Sequence, residues 1–82
     1  MAVYSDYVAI FGSMSVKQVQ EHVRGLAHGN EACRMAIEHG IKKTGITKGV
    51  DNDMAMYAWT ILHLANRFLE KNGSHHCISI LT

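Results

Sequence analysis

The chain has 82 residues, 48% of them apolar and 18% charged, with no proline and a formal net charge of +1. That length suits one domain with a marginal core, and the apolar content excludes a largely disordered chain. Eight basic against seven acidic side chains leave no strong field to steer the protein toward nucleic acid or an anionic membrane.

Residues 1–82 read as a single domain. Two cysteines, Cys33 and Cys77, are too few for the disulfide framework of a small secreted domain, so reduced thiols and a cytoplasmic location are expected. The N-terminal "MAVYSDYVAIFGS" has no basic region, and Ser5 and Asp6 break its apolar run, so it does not read as a signal peptide. No stretch approaches the roughly 18 to 20 apolar residues that span a bilayer.

In chain order, "YVAIF" at 7–11 reads equally as a short strand or as a turn of helix, because so short an apolar run fits both periods. The first predicted helix covers about 15–28. Ser15 at the N-cap with Gln18 three residues on forms a capping box, and Met14 and Val19 occupy the staple positions. Val16, Val19, Val23 and Leu26 then fall on one stripe, and Gly29 suits the left-handed residue that ends a helix.

The second predicted helix covers about 30–44, capped by Asn30 with Glu31 in its first turn, where negative charge is favoured. Cys33, Ala36, Ile37, Gly40 and Ile41 share one face, and three of them are small enough to let another helix approach closely. Arg34, Glu38 and Lys42 are expected to pair along the opposite face at i, i+4. Gly45 opens the loop "GITKGV".

The third and longest predicted helix covers about 52–72, capped by Asp51 or Asn52 and stopped at Gly73. "CISIL" at 77–81 reads as a strand, and the two chain ends can pair as a two-stranded sheet. The expected fold is therefore mostly α, a small three-helix domain with short extended N- and C-terminal segments.

At about 100° per residue, the long helix sorts its side chains into two halves. Met54, Ala55, Tyr57, Ala58, Ile61, Leu62, Ala65, Phe68 and Leu69 span the apolar half, with Leu64 at one edge. Trp59 and Met56 are left on the polar side among His63, Asn66, Arg67 and Glu70. Either the chain's own ends fold across them or another molecule covers them. A tryptophan buries a large rigid area at low entropic cost, and small domains gain stability by association, so the sequence favours a partner surface. The expected function is a non-catalytic interaction module, a homodimeric regulator or inhibitor that binds a protein partner through this helix. Trp59 and Met56 would be the anchors, His63 and Arg67 a polar rim, and Tyr57 and Leu64 the edge.

Other chemistries fit less well. Six histidines invite a metal, and "HHC" at 75–77 is the densest cluster. On a strand only His75 and Cys77 would share a face, with His76 opposite, leaving His39, His63 or Cys33 to complete a shell, so no metal or other cofactor is expected. No phosphate loop, carboxylate pair or nucleophile motif marks an enzyme, and Cys33 and His39 sit about 120° out of register on one helix. The alternative function is a helix-turn-helix DNA regulator, with Arg34 as base reader and Lys42, Lys43 and Lys48 on phosphates, aided by Thr44 and Thr47.

Overall fold

A computed structural model describes residues 3–45, 53–75 and 77–80. Its elements are four helices, α1 (Tyr4–Phe11), α2 (Val16–Gly25), α3 (Glu31–Thr44) and α4 (Met54–Lys71). The protein is thus mostly helical, with one helix more than the sequence predicted and no strand among the described residues.

The additional helix is α1. Its start is set by Asp6, whose carboxylate accepts the Val3 N–H at 2.9 Å and occupies one backbone donor that the helix itself leaves open. Tyr7 and Phe11, four residues apart, then bury one face, their rings stacked with centroids 6.0 Å apart. Phe11 meets His22 of α2 edge-on at 5.0 Å.

The expected end-to-end sheet is absent among the described residues, for a physical reason. The backbone groups of Ile78 that a ladder would need are already taken by one side chain. The Asn66 amide accepts from the Ile78 N–H at 2.8 Å and donates to its carbonyl at 3.0 Å. That pair docks the extended tail on α4 and buries the Ile78 side chain.

The capping predictions hold for α2 and α3. Ser15 and Gln18 exchange both bonds of the capping box, at 3.2 and 2.8 Å, and Asn30 accepts from the Cys33 N–H at 2.9 Å. α2 ends at Gly25, three residues short of the predicted 28. Glycine gains least from continuing a helix, and tighter i−3 bonds carry the chain through a turn to His28 and Gly29, both left-handed. Asp53 caps α4, accepting from the Met56 N–H at 3.0 Å; the predicted caps Asp51 and Asn52 lie outside the described residues. At the far end Gly73 at φ +77° carries paired bonds, Gly73 N–H to Glu70 and Ser74 N–H to Leu69, which stop the helix.

α4 is the central element, and the other three lie against its apolar half. Met54, Ala55, Tyr57, Ala58, Ile61, Leu62, Ala65 and Leu69 are buried, as the wheel predicted, and Phe68 is half-buried. The small residues of α3 permit close approach: a Cβ at Gly40 would lie 2.5 Å from the Ile61 carbonyl oxygen. One continuous cluster of apolar side chains links all four helices and Ile78. The radius of gyration is 11.7 Å, about what a folded single chain of this length gives.

Candidate functional site

The packing of α4 decides what remains outside. With α3 on one flank and α1 and the tail on the other, its remaining face is open. Trp59 is 42% and Met56 40% exposed, so neither is buried beneath the described parts of the chain's ends. The Trp59 ring is not loose: one turn on, His63 stacks on it with centroids 4.8 Å apart and planes within 8°. Arg67, a further turn along, is exposed. Four of the residues expected at the surface therefore form one row along α4.

Tyr57 is not part of that row. It is only 1% exposed, and its hydroxyl accepts a bond from the Gln20 amide at 2.9 Å, which ties α2 to α4. The wheel put it at the boundary of the apolar half, and α2 covers that boundary. Leu64 is half-buried and lines a groove instead.

Sequence reasoning missed a contribution from α1, because it left that segment undecided between strand and helix. Val3, Tyr4 and Val8 are 55%, 49% and 45% exposed. The Tyr4 hydroxyl donates to both Asp53 carboxylate oxygens at 3.0 and 3.1 Å, while the same carboxylate caps the Met56 N–H. One aspartate thereby joins Tyr4 of α1 to the start of α4, beside the exposed Met56. The bond holds the Tyr4 hydroxyl above its ordinary pKa, because ionisation would lose the donated proton and set a phenolate against a carboxylate. Tyr7 is raised by burial first, then by the Asp6 and Cys77 charges.

A second feature lies on the other side of the α4 row. A groove of about 660 Å³ runs between the C-terminal halves of α3 and α4. Lys43, Arg67 and Lys71 line it with His39 and His63, over a floor that includes Phe68. The His39 ring lies against Phe68 at 4.6 Å.

Of the residues of the DNA-reading alternative, Arg34, Lys42, Lys43 and Thr44 are described, all on α3. Arg34 is ion-paired with Glu31 at 2.8 Å, a bond that also raises its pKa. The expected Arg34–Glu38–Lys42 ladder does not form, since Glu38 reaches across to Arg24 of α2 at 2.6 Å. Lys42 and Lys43 are exposed in the last turn of α3, and Lys48 and Thr47 lie outside the described residues. Thr44 donates to the Gly40 and Ile41 carbonyls.

Among the described residues no cluster of three or more metal-ligating side chains occurs, and His76 lies outside them. His75 and Cys77 are exposed, and Cys77 and Cys33 line one cleft near the α2–α3 turn. No described helix is long and apolar enough to cross a membrane. Comparison with protein-family models, curated proteins and solved structures finds no match.

Proposed function

We propose that this chain is a non-catalytic interaction module, a homodimer whose second copy covers the face formed by Trp59, Met56 and the outer side of α1. In this reading it acts as a regulator or inhibitor by binding a protein partner. The observation that supports it is the exposure of Trp59 and Met56 on a helix whose opposite half buries eight residues.

Magnitudes decide how much surface must take part. A tryptophan of up to about 250 Å² that is 42% exposed offers roughly 100 Å² to a partner. A stable interface needs about 800 Å² on each side, roughly 15% of the 5241 Å² accessible here. Trp59 and Met56 can only be the centre of such a contact, and Val3, Tyr4 and Val8 enlarge it in one direction. Aromatic anchors at an interface centre carry most of its energy. Sedimentation of the wild type and of Trp59→Ala tests the reading. A dimer that Trp59→Ala converts to monomer supports it, and a wild type that stays monomeric at every concentration defeats it.

A further inference from the structure

The groove between α3 and α4 gathers cations without acids among the described residues. Lys43, Arg67 and Lys71 bring three fixed positive charges to one short trough, with the imidazoles of His39 and His63 beside them. No carboxylate lines it among the described residues. The nearest acid on α3, Glu38, is held by Arg24. Glu70, on α4, falls on the Trp59 side of the helix and outside the lining. None of the three cations takes part in an ion pair among the described residues. A chain whose net charge is only +1 has therefore gathered a local excess of cations with no counter-charge in the groove among the described residues.

We propose that this groove binds an acidic segment of a partner protein, with carboxylates on Lys43, Arg67 and Lys71 and an apolar side chain against Leu64. The inference rests on the reading of the chain as a protein-interaction module, and names the partner's chemistry. His63 links the two regions, since it lines the groove and stacks on Trp59. Arg67 and Lys71 stand one helical turn apart on α4, about 6 Å along the axis, and Lys43 faces them from α3. A peptide that offers carboxylates on one side can meet all three.

Charge complementarity alone would also suit a nucleic acid, but the aromatic groups do not. Single strands bind by stacking bases on open aromatic faces beside a long cationic track. Here the Phe68 ring is half-buried and covered by His39, and His63 is occupied by Trp59. The charges end after three residues, too few for a track.

The test uses the full chain and a short fluorescein-labelled peptide, rich in glutamate with leucines interspersed, read by anisotropy. Inorganic phosphate and a labelled oligothymidylate serve as the competing arms. The wild type should bind the peptide, and joint Lys43→Gln and Lys71→Gln, both exposed and outside both the core and the Trp59 row, should weaken it at least tenfold. Lys17→Gln, an exposed lysine at the start of α2, should leave the affinity unchanged. The proposal is overturned if the peptide does not bind, or if Lys17→Gln weakens it as much as the groove substitutions do. It is equally overturned if phosphate displaces the peptide at comparable concentration, or if oligothymidylate binds more tightly. Sedimentation of the groove variant separates this from the dimer: its mass should equal that of the wild type. If the peptide fails while Trp59→Ala still dissociates the dimer, the groove assignment alone is lost.

Discussion

The same substitution at two glycines should change stability in opposite directions. At Gly40 an added Cβ would sit 2.5 Å from the Ile61 carbonyl oxygen and 3.3 Å from its carbonyl carbon. The obstructing atom is backbone, so no rotamer change relieves it, and α3 and α4 must separate along the tightest part of their contact. Forced overpacking costs about 1 to 3 kcal/mol, and a backbone obstruction this close takes the upper part of that range, about 2 to 3 kcal/mol, against a gain of about 1 kcal/mol from replacing glycine by alanine within a helix. Gly40→Ala should therefore lose a net of about 1 to 2 kcal/mol, lowering Tm by roughly 4 to 16 °C in a domain this small. At Gly25 nothing lies within 4 Å of the added Cβ and φ is not left-handed. Gly25→Ala should gain about 0.4 to 1 kcal/mol. Urea and thermal unfolding followed by circular dichroism measure both. A Gly40→Ala variant as stable as the wild type would refute the close α3–α4 packing on which the open face of α4 depends.

Three further outcomes follow from single contacts. Asn66→Ala removes both partners of the Ile78 backbone, so the tail should undock, at about 1 to 3 kcal/mol, and hydrogen exchange at the Ile78 amide should accelerate; unchanged exchange would contradict that docking. In the native protein Cys77, which is exposed, should react with a thiol reagent much faster than the buried Cys33, and equal rates would contradict the placement of the tail. The Tyr4 hydroxyl, raised from its ordinary 10.0 by the bond to Asp53, adds stability that is present below the unfolded pKa and is lost as pH rises through the folded one. Alkaline stability should therefore decline less steeply in Tyr4→Phe, and identical pH profiles of the two proteins would show that the bond does not form.

Much of this fold is legible where one residue type satisfies one backbone need. Ser15 with Gln18, Asn30 and Gly73 each mark a helix boundary because an open donor or a left-handed φ requires them. The apolar half of α4 is equally readable, since periodicity and burial coincide there. What escaped sequence reasoning depends on long-range partners. Residues 7–11 satisfy strand and helix periods alike, and Asp6 at the helix start decides the matter locally. Nothing in "CISIL" reveals that an asparagine twelve residues earlier would take both backbone groups of Ile78. Tyr57 is buried because Gln20 of another helix reaches its hydroxyl. The Arg24–Glu38 pair, likewise, replaces a ladder that spacing alone suggested.

The candidate surface divides in the same way. Trp59 and Met56 were readable as apolar residues on the polar side of an amphipathic helix, with His63 and Arg67 beside them. The additions from α1 and the cationic groove needed the packing of helices against one another. Lys43 and Lys71 lie 28 positions apart in the sequence, and the packing of α3 on α4, closest at Gly40, brings them to one groove.

Analytical ultracentrifugation of the wild type and Trp59→Ala, over a range of concentrations, puts the most weight on the account. The wild type should sediment as a reversible dimer. Removal of an indole at the centre of that contact should weaken it by about 2 kcal/mol or more, roughly thirtyfold in Kd, with the helical signal retained. A wild type of monomer mass throughout, or a Trp59→Ala variant that dimerises as tightly, would show that the indole is not covered by a second copy.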